Sequence, residues 1–255
     1  MSIARASRLA LATLTGVTAW GCVASLTTEA RRAAETGGDP APLVSELRRL
    51  YDSIDRTKRS FEVTLVEGGR RFGGEGAVSF RADPLAARGD VFGPQSTAVL
   101  RFTLFGDTLT VDLPREGERL QGRLGDPRFA ELTGERALVT PEVLGALLGA
   151  YDVGSWVERA ERVAIGTDED RRTLYIWDAG ALHALTLRQG RLVEYRQARA
   201  GDLAIRAEFE EFEPVGNRLS PRRVVVRDFT RDRWLVLVVT REHEEVTDAA
   251  LQPLP

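Results

Sequence analysis

Residues 97–113 read TAVLRFTLFGDTLTVDL. Ala98, Leu100, Phe102 and Leu104 recur at every second position, so they share one face of a strand. Gly106-Asp107 breaks the run, and Leu109, Val111 and Leu113 continue the same face on the return. So short a turn joins antiparallel neighbours. The stretch is therefore a hairpin with one apolar face, and that face requires cover.

The period of two extends upstream. In FEVTLVEGG (61–69), Phe61, Val63 and Leu65 face one way, Glu62 and Thr64 the other, and Gly68-Gly69 turns the chain. Val78 and Phe80 carry the pattern on to Asp83-Pro84. Before residue 57 the period differs: Leu43, Leu47, Leu50 and Ile54 are three or four apart, which predicts an amphipathic helix over 42–56.

Downstream, the strand pattern stops between Asp126 and Ala150. TPEVLGALLGA (140–150) offers Thr140 as N-cap and Pro141 at the first helical position, with Val143, Leu144, Leu147 and Leu148 on one stripe. A short helical turn around Phe129 and Leu132 precedes it. Alternation then resumes. TLYIWDAGALHALTLRQGRLVEYRQ (173–197) reads as three strands with turns at Ala179-Gly180 and Gln189-Gly190, and a further strand runs from Leu203 through Phe209 to about Pro214. RRVVVRD and RWLVLVVTREH complete the meander. Trp234 to Val239 is apolar on both faces, which predicts a strand covered on both sides.

Two groups of antiparallel strands separated by helices imply an α+β fold: one curved sheet forming an incomplete, half-open β-barrel with helices packed in its concave side. A flat sheet of this width would leave its apolar face in water. The expected organisation is a signal peptide at 1–21, a lipidated Cys22 and flexible tether at 22–42, one domain at 43–246 and a C-terminal tail at 247–255.

The N-terminal reading rests on LTGVTAWGC (14–22), which ends in the one cysteine of the chain. Arg5 and Arg8 precede a mostly apolar run from Leu9 to Trp20, too short for the about 20 residues a membrane span requires. Ala19, Gly21 and Cys22 resemble the lipobox of bacterial lipoproteins, in which the cysteine is acylated, with palmitate among the chains, and becomes the mature N-terminus. The alternative is an ordinary signal peptide with an incidental cysteine. Val23 in place of aspartate favours outer over inner membrane by the same resemblance. From Val23 to Pro42 no sustained apolar period is evident, hence the tether.

The formal charge is −3, and removal of 1–21 makes it more negative by two arginines. Basic residues are scattered through the strands, so nucleic acid is not an expected partner. The inventory argues against an enzyme. His183 and His243 are the only histidines and stand in no metal-binding spacing. Ser155, in VGSWV, lacks the second glycine of a nucleophile elbow. Asp168, Glu169 and Asp170 read as a solvated turn, and the glycines at 68, 69, 73, 74 and 76 as hairpin turns rather than a phosphate loop. No cofactor, metal site or catalytic set is expected.

The order of parts, with VFGPQSTAVLRFTLFGDTLTVDLPREG (91–117) and TPEVLGALLGA, resembles the LolA/LolB superfamily of bacterial lipoprotein-localisation factors over about residues 43–246. The resemblance implies an apolar cavity that receives acyl chains of lipoprotein or phospholipid. Its walls would be Phe61, Val63, Leu65, Val78 and Phe80, then Leu100, Phe102, Leu104, Leu109 and Val111, with Leu144, Leu147 and Leu148 on a helical lid. It further implies anchorage in the outer membrane facing the periplasm, and a periplasmic carrier protein as partner. One departure stands out: the loop Gly93-Pro94-Gln95-Ser96 is short and carries Gln95 where the membrane-anchored receptor of the family projects an apolar residue. The expected function is non-enzymatic transfer of acyl chains to the outer membrane. The alternative is an assembly lipoprotein that uses a filled scaffold as a docking surface.

Overall fold

The computed structural model describes residues 25–124, 126–130, 139–244 and 246–252. The signal segment 1–21, Cys22, Leu132 and residues 253–255 lie outside the described residues. The chain begins with helices α1 (Leu26–Thr36) and α2 (Ala41–Asp52), then forms β1 (Thr57–Glu67), β2 (Arg70–Arg81), β3 (Ala86–Phe92), β4 (Ala98–Phe105), β5 (Thr108–Leu113) and β6 (Glu118–Arg123). Helices α3 (Pro127–Ala130), α4 (Pro141–Leu148) and α5 (Val153–Arg159) follow. The second half is β7 (Arg162–Asp168), β8 (Arg171–Asp178), β9 (Ala181–Arg188), β10 (Arg191–Arg199), β11 (Asp202–Val215), β12 (Arg218–Asp228) and β13 (Arg233–His243).

These strands make one antiparallel 13-stranded sheet in the order β6-β5-β4-β3-β2-β1-β13-β12-β11-β10-β9-β8-β7. β1 lies in the interior of the sheet, with β2 on one side and β13 on the other, so the last strand welds the two halves together. The sheet remains unclosed, with β6 and β7 at its edges. The quoted hairpin is β4–β5, with Leu104 opposite Leu109 and Phe102 opposite Val111. The concave face and the stripes of α2, α4 and α5 form one core. Curvature requires rings to lie close to the backbone: Phe61 sits opposite Gly76 and Phe102 opposite Gly89, and a Cβ on either glycine would fall about 2.5 Å or less from the ring.

Several expectations are corrected. The segment 22–42 is not all flexible tether. Ser25 caps α1, its Oγ accepting from the Thr28 N–H at 3.3 Å. Leu26, Ala30 and Ala33 are buried in a satellite core with Ala164, Tyr175, Ala184 and Ala198. Alanines make that stripe faint to a hydropathy reading, yet they let a helix lie close on a sheet. Residues 247–255 are not a free tail throughout, because Val246 and Leu251 bury against Ala86 and Asp248 binds Arg81 at 2.9 Å. Gly73, Gly74 and Gly76 lie within β2, not in turns; Gly76 makes room for the Phe61 ring and Gly74 for the Phe92 carbonyl, whereas a Cβ at Gly73 would meet nothing. β13 is covered on one face only: Leu235, Leu237 and Val239 are buried, whereas Trp234 and Val238 are exposed. Arg227 lies over the Trp234 ring at 5.2 Å and shields part of it. The first of the expected helices ends at Asp52, with Ile54 buried in the turn beyond.

Candidate functional site

The residues expected to line a cavity are brought together. Phe61, Val63, Leu65, Val78, Phe80, Leu100, Phe102, Leu104, Leu109 and Val111 all belong to the main core, as do Leu144, Leu147 and Leu148 of α4. They pack one another closely. Leu65 borders a void of about 20 Å³, room for about one water. A ligand larger than a water molecule would enter this interior only if side chains or the covering helices moved.

α4 is the covering element, and its two ends are held differently. Thr140 takes the N-cap position without a side-chain cap bond. Gly149 ends the helix at φ 71°, and a Cβ there would also press on Pro221 at 2.9 Å. Close by, Arg59 reaches from β1 through the core and donates Nη1–H to the Leu147 carbonyl at 2.6 Å. This guanidinium is almost wholly buried, so its charge requires compensation. Nη2–H donates to Ser220 Oγ at 2.7 Å, and Nε lies 2.9 Å from the Glu242 carboxylate. Burial lowers the Arg59 pKa to about 10 despite Glu242. Burial also pushes the Glu242 carboxyl up, but Arg59, the Ser220 hydroxyl at 2.6 Å and Arg218 together hold it below the usual carboxylate range. The helix is thus latched to the sheet through a charge network.

The other end of the cover is sealed by aromatic rings from three elements and a connector. Tyr151 lies 4.3 Å from Tyr195, and Trp156 of α5 stacks on His183 at 4.4 Å. The Tyr151 hydroxyl donates to the Glu142 carbonyl at 3.2 Å, and His183 Nδ1 is 2.9 Å from the Tyr195 hydroxyl. Burial pulls His183 down to about 4, so it is a neutral core imidazole at neutral pH. His243 sits at the exposed end of β13, sixty positions away in sequence, and the two histidines do not converge. Asp170 of the acidic turn pairs with Arg188 at 2.5 Å. Ser155 bonds Asp152, the residue that caps α5.

Sequence reading missed a groove of about 520 Å³ at one open end of the barrel. It lies between α2 and the turns that join β9 to β10 and β11 to β12, with Leu50, Pro214 and Leu219 among its walls. Its volume is in the range of small-molecule sites. No local motif marks it, because its walls come from three distant segments.

The chain thus combines an unclosed antiparallel sheet, helices against its concave face and a groove at one end. No family profile and no curated protein matches the sequence. Solved structures do. A DUF1329 family protein from Desulfovibrio piger is 13% identical, with a TM-score of 0.64 over 84% of this chain and 98% of its own. An outer-membrane lipoprotein-sorting protein domain from Vibrio parahaemolyticus is 12% identical, with 0.60 over 82% and 92%. A LolA superfamily protein from Nitrosomonas europaea is 11% identical, with 0.59 over 85% and 98%. The chain has the LolA/LolB-like fold that its sequence resembles.

Proposed function

We propose that this protein is a lipid-anchored, periplasm-facing, non-enzymatic binder of acyl chains that aids their passage to the outer membrane. The observation that carries the reading is the groove of about 520 Å³ at the barrel mouth, apolar at Leu50, Pro214 and Leu219 and adjoining a large apolar core. Each methylene moved from water into such surroundings gains about 0.8 kcal/mol, so a chain of a dozen carbons has several kcal/mol with which to displace covering side chains. The lipobox-like segment ending at Cys22 supports the anchor, and acylation there supplies the membrane attachment. A periplasmic carrier protein is the expected donor. The lipoprotein-sorting description of one fold relative is in keeping with this role.

The test uses a chain begun at Val23, which retains every described helix and strand. Lipid extracts of the purified protein, read by mass spectrometry, are expected to contain acyl lipid, and a fluorescent fatty acid is expected to bind and be displaced by lipid. Absence of both refutes the reading. A second reading, a docking scaffold for envelope proteins, is favoured by the exposed Trp234 and Val238 on the outer face of β13. It predicts that Trp234→Asp abolishes partner capture while fatty-acid binding is retained.

A further inference from the structure

The groove at the barrel mouth is lined by apolar side chains and by cationic ones. Leu50, Pro214 and Leu219 supply the first, and Leu219 is left 42% exposed. Arg49, Arg191 and Arg218 supply the second. The acid in this lining, Glu46, is engaged by Arg172 of β8 at 2.8 Å and does not neutralise them.

The charge imbalance continues beneath the groove. The Arg218 side chain is only 9% exposed and shares the Glu242 carboxylate with buried Arg59. Two guanidinium groups thus meet one carboxylate, and the buried cluster retains an excess positive charge. Arg222 does not redress it, since its partner is Glu213 at 2.7 Å. Hydrogen bonding is incomplete as well. Among the described residues, the Nε–H groups of Arg191 and Arg218, like those of Arg59 and Arg196, are buried without a hydrogen-bond partner, and the Arg191 guanidinium lies over the Phe212 ring at 5.7 Å. A buried donor left unpaired is destabilising, and a buried uncompensated cation more so. Both deficits are met by one thing, an anion beside Arg191 and Arg218.

We infer that the groove takes an anion-headed amphiphile: a carboxylate or phosphate held by Arg191 and Arg218, with its single acyl chain laid along Leu50, Pro214 and Leu219. Guanidinium forks suit these heads because they offer paired, charge-assisted donors. The inference rests on the acyl-binding reading above and narrows it to a head-group class.

The test is calorimetric titration of the chain begun at Val23 with three ligands, the two amphiphiles below their micellar concentrations: dodecyl phosphate, uncharged dodecyl maltoside and inorganic phosphate. Dodecyl phosphate is expected to bind at least about tenfold more tightly than either of the others, and its affinity is expected to fall as salt is raised. Arg191→Gln, at a partly exposed site outside the buried cluster, is expected to weaken dodecyl phosphate about tenfold and leave dodecyl maltoside unchanged, with an unaltered circular dichroism spectrum. Equal binding of the two amphiphiles overturns the head-group inference and leaves acyl binding intact. Equal binding of inorganic and dodecyl phosphate means a free-anion site and overturns the amphiphile. Binding of neither amphiphile refutes the acyl-binding reading itself.

Discussion

The buried His183 ties stability to pH with a calculable slope. Its imidazole is 7% exposed, stacked on Trp156 and bonded to Tyr195, with Asp178, Arg199 and Arg159 as the charges facing it. Burial sets its folded pKa at about 4, against an ordinary value of 6.5. Between those values the unfolded chain binds the proton and the folded chain does not. Stability therefore rises with pH across this window and is lost as pH falls from about 6.5 toward about 4. With 1.36 kcal/mol per pKa unit, the full effect is about 3 kcal/mol, of which about 2.5 is lost between about pH 7.5 and pH 4.5. Urea unfolding at a series of pH values measures it. His183→Phe is expected to flatten the slope between about pH 6.5 and 4.5 while retaining the ring stack, whatever its cost at neutral pH. A wild-type-minus-variant difference that stays constant across the window refutes the reasoning.

The charge network predicts an order of effects. Glu242→Gln leaves Arg59 and Arg218 as two buried cations without a counter-charge, whereas Arg59→Met leaves a neutral Arg218–Glu242 pair. The first is expected to destabilise by about 3–5 kcal/mol and the second by less, as read from urea midpoints. Gly89→Val places a side chain where a Cβ already lies 2.2 Å from the Phe102 ring, and overpacking there is expected to cost about 3 kcal/mol. Ala30→Glu introduces a charge into the fully buried α1 contact, and limited trypsinolysis is expected to show faster cleavage at Arg31 and Arg32 with the sheet core still protected. In the acylated protein on vesicles, a label at the β10–β11 turn is expected to be quenched by lipid-borne quenchers more strongly than one at the β9–β10 turn, as a comparison of single-cysteine derivatives would show.

What was legible in the sequence followed from strong periodicity at buried positions. The β4–β5 hairpin has the register its alternation implies, and the α2 and α4 stripes are buried where the three- and four-residue steps put them. The edge strands were not legible. β6 reads ERLQGR with Leu120 as its single large apolar residue, and β7 follows a charged stretch. Edge strands carry such charge because it discourages pairing with other chains. α1 was hidden by the small size of Ala30 and Ala33, which signal little hydrophobicity but permit close approach to Gly166 and Tyr175. On β13 the opposite error arose: six apolar residues in a row implied cover on both faces, whereas Trp234 and Val238 are exposed and Arg227 lies over the Trp234 ring. The groove and the Arg59 network join residues up to 183 positions apart, so no local window contains their signal.

The docked α1 changes how an anchored molecule would stand on a membrane. A flexible chain from residue 22 to 42 would let the domain tumble at a distance, but α1 is already bedded on the sheet, with Glu29 bound to Arg196 of β10 at 2.9 Å and Gly37 against the Ile165 carbonyl of β7. Residues 23–25 span no more than about 10 Å even when fully extended. Acylation at Cys22 would therefore hold the outer face of the β7–β10 half close to the bilayer. That half is bedded on α1 through Leu182 and Ala198, each within two residues of the β8–β9 and β10–β11 turns, whereas the groove opens at the other ends of these strands. A strand as long as β10, nine residues, covers about 30 Å. The mouth would face away from the lipid surface, toward the aqueous side from which a soluble carrier arrives, and delivery into the bilayer would then require the cargo to pass along the concave face beneath α4. The Arg59–Leu147 hydrogen bond holds α4 against the sheet, so under the proposed function release of α4 would be a step on which transfer turns.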